Sequence, residues 1–304
     1  MIVCLYHKSD LDGRCSAAIV SMATGHKSKM IGWTYGDTVP WGDLEPLGWD
    51  DRVILVDLTL PPHDMVRLEA QTSLAWIDHH KDAIERLILD HPYMADVPGP
   101  RDPRYAACCL AWRYFFRGQK LPVAVDYIGA WDTWEWVDRS DRREIEAFQF
   151  GMRAMDTEPD EDVWRDLLKE RGTSLVVETV CRDGVAILQY RDCQNERIAK
   201  SAFETTLGGH KILSLNAGGG SELFDSVRGQ HQGCVATAAF FWAGTAWKVS
   251  LRSIGDFDVA ALARQFGGNG HPGAAGFTCE ELPFRLGQHG QPDLAGLAKY
   301  ENER

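Results

Sequence analysis

Two short apolar runs, each stopping at an aspartate, constrain this chain most. Val53-Ile54-Leu55-Val56 stops at Asp57, and Leu74-Ala75-Trp76-Ile77 stops at Asp78. Four apolar residues without alternation suit strands buried on both faces. A third strand-like run, Ile2 to Tyr6, is followed at once by His7. Segments 17–22, 61 onward and 81 onward read as helices between these strands, with Pro61-Pro62 at a helix start, where proline is tolerated. Strands alternating with helices predict a parallel sheet with crossover connections. Ligands bind such sheets outside the carboxyl ends of the strands, where these acids and histidines fall.

Beyond residue 104 the pattern turns helical, over 105–116, 123–131, 144–152 and 163–168, with a polar break at 157–160. A long run, 175–203, also reads as helix, although Gly184 weakens its middle, and Gly208-Gly209 stops it. Strand-like pieces follow at 211–215, 234–241 and 246–251, then a helix at 259–266 and a glycine-rich segment. The predicted architecture is α/β: an N-terminal parallel-sheet domain with helices on both faces (1–155), a helical connector (156–207) and a smaller C-terminal α/β domain (208–304). The length of 304 residues suits about two domains.

Composition narrows the function classes. The 44% hydrophobic and 25% charged content is globular, and no apolar stretch is long enough to span a membrane. The N-terminus reads as a strand and not as a signal peptide. A net charge of −12 lacks the basic footprint of a protein that grips long duplex DNA. Eight cysteines with no CxxC pair and no export signal are expected as reduced thiols in a cytoplasmic protein.

Four pieces carry the chemistry: His7-Lys8-Ser9-Asp10-Leu11-Asp12-Gly13, Asp57, Asp78-His79-His80, and Asp132. Taken singly, each has a plain reading as a turn, a helix cap or a surface acid. Together they are a carboxylate–imidazole set suited to a divalent metal such as manganese. Converging acids also repel one another unless cations neutralise them. A calcium loop is excluded, because the later acids and closing glutamate are missing. Gly268-x-Gly270-x-x-Gly273 mimics a dinucleotide fingerprint, but a helix precedes it and Pro272 interrupts it. Trp131, Trp134 and Trp136 flank Asp132 and are expected in the core.

The order HxxDxDG, strand-ending Asp57, Asp78-His79-His80 and Asp132 resembles the DHH phosphoesterase superfamily. Its acids stand three and five residues after His7, where nano-RNases use four and six. Gly267-Gly268-Asn269-Gly270-His271-Pro272-Gly273-Ala274-Ala275-Gly276-Phe277 resembles the GGGHxxAAGF signature of the accessory domain in the RecJ-like and nano-RNase-like branch, and Ser250-Leu251-Arg252-Ser253 is also typical of it. The resemblance implies two divalent cations, manganese foremost, with magnesium or cobalt as alternatives. His7, Asp10 and Asp57 would hold one; Asp12, Asp57, His79 and Asp132 the other, with Asp57 bridging. His80 would contact the phosphoryl group or protonate the leaving oxygen while a metal-activated hydroxide attacks. Arg252, Gly268, Gly270 and His271 would bind substrate.

The activity so implied is phosphodiester or phosphate-ester hydrolysis in short oligonucleotides or small nucleotides, of the nano-RNA, cyclic-dinucleotide or pAp type. No membrane partner is expected, and a homodimer is left open. Two alternatives stand beside it: phosphoanhydride cleavage of the exopolyphosphatase or pyrophosphatase kind, and a non-catalytic nucleotide-binding module.

Overall fold

A computed structural model describes residues 1–169, 175–227, 229 and 232–284, and the chain divides into two compact units, Met1–Leu188 and Gln189–Arg304. In the first unit the chain runs β1 (Ile2–His7), α1 (Leu11–Ala23), β2 (Lys29–Trp33), α2 (Trp41–Leu44), β3 (Arg52–Val56), α3 (Pro62–Gln71), β4 (Ser73–Ile77) and α4 (Lys81–Asp90). Helices α5 (Ala107–Phe115), α6 (Val123–Asp132), α7 (Arg142–Arg153) and α8 (Asp162–Leu167) follow, and α9 (Leu175–Ala199) leads out of the unit.

The four strands form a parallel sheet in the order β2-β1-β3-β4. Alternate residues feed two cores, as the period of a strand requires. Cys4, Tyr6, Ile54, Val56, Ala75 and Ile77 pack under α1 and α5 to α7, around the buried Trp112. Val3, Leu5, Val53, Leu55, Leu74 and Trp76 pack under α3 and α4 on the other face. Burying each such side chain contributes about 1.5–3 kcal/mol, which fixes the register of all four strands. The edge of β4 is covered by the segment after residue 97. Trp76 N–H donates to the Pro98 carbonyl at 2.7 Å, and the Arg101 guanidinium binds the carbonyls of Trp76, Ala95 and Val97.

Because β2 lies on one side of β1 and β3 on the other, the chain reverses direction across the sheet between β1 and β3. A crevice opens at that point, outside the strand ends. Gly13 allows α1 to close down on it: a Cβ there would run into the His7 carbonyl.

In the second unit, β5 (Phe203–Leu207), β6 (His210–Asn216), β7 (Ala236–Trp242), β8 (Trp247–Ser253), β9 (Asn269–His271) and β10 (Ala274–Cys279) form one mixed sheet, with α10 (Val259–Arg264) packed on it. The order is β5-β6-β7-β8-β10-β9, antiparallel except for β6 with β7. The helix read over 175–203 therefore stops at Ala199, and β5 takes its place. Phe203, Thr205 and Leu207 alternate inward, while Gly208 and Gly209, at φ 57° and 79°, make the two-residue turn into β6. Gly268 to Gly273 fall in the β9–β10 hairpin with no helix opening there, as expected of a false fingerprint. All eight cysteines are free thiols. Among the described residues no helix is long and apolar enough to cross a membrane.

Gly184 weakens α9 intrinsically, yet its place is set by packing. A Cβ at Gly184 would collide with the Ala147 carbonyl and approach the Gly151 amide to 2.8 Å, and a Cβ at Gly151 would meet the Val180 carbonyl. Two backbones cross at close range here. Gly184→Ala would gain about 1 kcal/mol in helix propensity, but overpacking against backbone costs about 1–3 kcal/mol. We expect net destabilisation, read as a lower Tm in a thermal melt; an unchanged or higher Tm would show that the crossing yields.

Candidate metal centre

The strand ends deliver the side chains. His7 closes β1, Asp57 follows β3, and Asp78-His79-His80 follow β4. Asp10 caps α1 by accepting from Gly13 N–H at 3.0 Å, and Asp12 sits in the first turn of that helix. Asp132 is the last residue of α6. All seven sequence-selected residues of the first unit, His7, Asp10, Asp12, Asp57, His79, His80 and Asp132, therefore meet at the crevice. The spacing of three and five after His7 does not prevent this, because the first turn of α1 carries both acids back toward the sheet.

Asp57 lies at the centre. The residue is 1% exposed. Oδ2 lies 3.5 Å from His7 Nδ1, and Oδ1 lies 3.2 Å from His79 Nε2. His7 Nδ1 is also 3.1 Å from Asp10 Oδ2, while His79 Nε2 is 3.4 Å from Asp132 Oδ2 and 3.7 Å from Asp12 Oδ2. Three groups have ligand atoms within 4.8 Å of one another: His7, Asp10 and Asp57; Asp12, His79 and Asp132; and Asp57, His79 and His80. Asp57 caps no helix. Its φ of 60° is left-handed, a conformation that aspartate and asparagine tolerate better than most residues and that gathers at functional sites.

The ligand atoms are held from behind. Both oxygens of Asp12, 2% exposed, accept backbone N–H groups at the start of α5: Ala107 at 2.8 Å and Cys108 at 2.7 Å. The Thr34 hydroxyl lies 3.1 Å from His7 Nε2 and fixes the ring with Nδ1 toward the carboxylates. Asp78 is fully buried and its carboxylate is taken up by its own neighbours. It accepts from the backbone N–H groups of His79 and His80, from the Thr59 hydroxyl, and from His80 Nδ1 at 2.7 Å. His80 Nε2 is therefore the ring atom left for a ligand. Thr34, Thr59 and the amides of Ala107 and Cys108 carry no sequence signal, since every non-proline residue has an N–H and threonine is common.

Electrostatics mark the cluster as incomplete by itself. Burial pushes Asp12 up to about 7, with the neighbouring Asp57 charge adding to it. Burial, and next Asp12, push Asp132 up to about 7. Burial also raises Asp57. His7 is pushed up to about 10, first by Asp10 and then by Asp57. For His79 burial opposes the charge, but Asp57, Asp12 and Asp132 outweigh it and the ring rises to about 10. Protons on imidazole thus stand in for missing positive charge. Yet His7 Nδ1 and Asp57 Oδ1 are buried without a hydrogen-bond partner, their neighbours lying at ion-pair distance but off the hydrogen-bonding direction. Lone pairs converging in this way are what divalent cations require, so the residues fit a metal centre.

The tryptophans divide. Trp131 and Trp136 stack at 4.6 Å and are half-buried against the core, whereas Trp134 is 73% exposed, at φ 62° on a turn. The core reading thus fails for Trp134, because the chain leaves α6 there and turns it outward.

In the second unit Arg252 of β8 and His271 of β9 both pair with Ala274 of β10, so they stand in one cross-strand row with only a small side chain between. Opposed residues in antiparallel strands share a face. Arg252 donates to the Leu251 carbonyl at 3.0 Å, and His271 is exposed. The two glycines let β9 approach β10 closely. A Cβ at Gly268 would meet the Gly276 carbonyl, and Gly270, at φ 148°, lies over Ala275, with its N–H bonded to Asn269 Oδ1 at 2.8 Å.

Residues 221–288 match the family model of the DHHA1 domain. The chain is similar to a solved DHH domain described as belonging to a member of a ribosomal protein family, with a TM-score of 0.53 and 11% identity over 92% of this chain and 83% of that one. It is also similar to the pGpG-specific phosphodiesterase PggH of Vibrio cholerae (TM-score 0.49, 13% identity, 92% and 93% covered). A third similarity is to the exonuclease RecJ bound to manganese (TM-score 0.47, 16% identity, 92% and 86% covered). No curated protein matches the chain. The first unit has the parallel-sheet fold of a DHH domain and presents Asp78-His79-His80 at the end of its fourth strand, and within the second unit residues 221–288 match the DHHA1 domain.

Proposed function

We propose that the protein is a metal-dependent phosphoesterase for short oligonucleotides or small nucleotides. The observation that carries this reading is the division of Asp57, with Oδ2 toward His7 and Oδ1 toward His79. One carboxylate can thereby serve two cation positions. His7, Asp10 and Asp57 would hold the first ion; Asp12, Asp57, His79 and Asp132 the second. Manganese suits the mixed imidazole and carboxylate donors. Such a pair supplies Lewis acidity, charge neutralisation and a water pKa lowered from 15.7 toward about 7.

The chain supplies positioning and proton control. Asp12 is held by the Ala107 and Cys108 amides, and His7 by Thr34, so the ligand atoms need little reorganisation. The bond from His80 Nδ1 to Asp78 raises the pKa of His80 and leaves its Nε2–H as the second donor of the ring. That atom can donate to a phosphoryl oxygen or give its proton to the departing oxygen. Arg252 and His271 of the second unit would contribute to substrate binding.

A manganese-supplemented panel of pAp, dinucleotides, short RNA, cyclic dinucleotides and polyphosphate tests the reading. Hydrolysis of at least one nucleotide ester is expected, and exhaustive chelation should abolish it. Turnover that survives chelation, or inertness toward every ester, would overturn the proposal.

A further inference from the structure

Within the first unit a cavity of about 380 Å³ adjoins the metal centre, sharing Asp10, Asp12 and Asp132 as one wall. Its size lies at the low end of small-ligand sites, about 300–1,000 Å³. The rest of the lining is of two kinds. Leu11, Ile128, Trp131 and Met155 give apolar surface, and Ser9, Arg14, Gln149, Arg153 and Thr157 give polar groups.

Gln149 is 1% exposed, and its side-chain hydrogen bond among the described residues, Nε2 to the Tyr127 carbonyl, is long at 3.4 Å. Arg153 lies over the Trp131 and Phe150 rings at 5.7 and 4.9 Å, and no carboxylate pairs with it among the described residues. The other cation of the cavity, Arg14, is already committed to the Lys8 carbonyl, Thr157 and Glu158.

We propose that this cavity receives one nucleoside unit of the substrate, with Arg153 pairing a phosphate that the unit carries, which makes the enzyme a nucleotide esterase and not a polyphosphate hydrolase. The inference rests on the phosphoesterase reading above. An inorganic polyphosphate is anionic at every link and would need cations along its length. Here it would find one uncommitted guanidinium, and those of its oxygens that lie against Leu11, Ile128, Trp131 and Met155 would be desolvated without hydrogen bonds, which is costly. A heterocycle covers the same apolar surface favourably, and its edge can meet the Gln149 amide, which both donates and accepts.

The test uses the full-length protein at fixed free manganese. Calorimetric binding of AMP and of inorganic tripolyphosphate is compared in wild type, Arg153→Gln and Met155→Trp. Arg153 and Met155 are both exposed, so neither exchange should cost the fold. AMP should bind more tightly than tripolyphosphate. Arg153→Gln should weaken AMP about tenfold, as loss of a charge-assisted hydrogen bond predicts. Met155→Trp, which fills the cavity from its rim, should also weaken AMP. Tripolyphosphate binding as tightly as AMP, or AMP binding indifferent to both exchanges, would overturn the inference. Because binding is read without turnover, an enzyme inert toward every ester would sink the phosphoesterase reading alone. An active enzyme with AMP binding indifferent to Arg153 and Met155 would sink the cavity alone.

Discussion

Asp57→Asn should erase the response of the protein to manganese while leaving it folded. Asparagine is nearly isosteric and among the residues most tolerant of a left-handed φ, so the 60° backbone at this position adds no new strain. It replaces one carboxylate oxygen by an NH2 group, which cannot ligate, and removes the charge. Because the two oxygens of Asp57 face different histidines, no rotamer of asparagine serves both positions. For wild type at a manganese concentration about 100 times Kd, linkage predicts about 2.7 kcal/mol of stabilisation. For a unit of this size that is roughly 5–11 °C in Tm. The variant should show little of this shift. Turnover should fall on the order of 1,000-fold, about 4 kcal/mol at 1.36 kcal/mol per tenfold. Without metal its Tm should equal or exceed that of wild type, since burial raises the Asp57 pKa and makes its charge costly at neutral pH. A full metal-induced shift, or undiminished turnover at saturating manganese, would refute the bridging role.

The metal-free protein should lose stability as pH rises from 6.5 to 8.5, and the manganese-induced rise in Tm should grow over the same interval. The sign follows from four strongly perturbed groups of the metal centre. His7 and His79 rise to about 10 in the fold, so their stabilisation is complete below the unfolded value of about 6.5 and fades as pH climbs toward 10. Asp12 and Asp132 rise to about 7, so what they contribute is present below about 3.8 and lost through neutrality. All four make the folded state bind more protons than the unfolded state in this window. Asp10 and Asp78 are lowered, which helps above about 3.8 and is constant across the window. Even one net proton costs about 1.4 kcal/mol per pH unit, or roughly 5–11 °C over two units. Cations must displace the imidazole protons, so apparent affinity climbs as those protons become easier to remove. Melts at four pH values, with and without manganese, decide it. A metal-induced shift that does not change with pH, or a metal-free Tm that rises with pH, would contradict the protonated-imidazole account.

Strands β1, β3 and β4 and the polar residues that end them were legible because burial on both faces leaves a linear mark: an apolar run, then an acid or imidazole where the chain emerges. Helices α5 to α7 were legible for a similar reason, through their apolar period. Strand β5 was hidden by the helix before it, although its alternation and the Gly208-Gly209 turn were there to be read. Strand β2 was not foreseen, since Lys29-Met30-Ile31-Gly32-Trp33 is short and partly exposed.

The residue types at the metal centre are local facts, and the sequence by itself determined them, down to which strand ends carry them. What only the tertiary structure decided is how those atoms are aimed and what lies beside them. The clamp on Asp12 comes from amides 95 and 96 residues away. The division of the Asp57 oxygens depends on a left-handed backbone that aspartate permits but does not dictate. Arg153 and Gln149, on one helix face and unremarkable in sequence, become cavity walls only because α7 packs beside α6 and the start of α1. Direction and adjacency arise from the crossing of distant segments, and no local pattern of side chains records where those segments will meet.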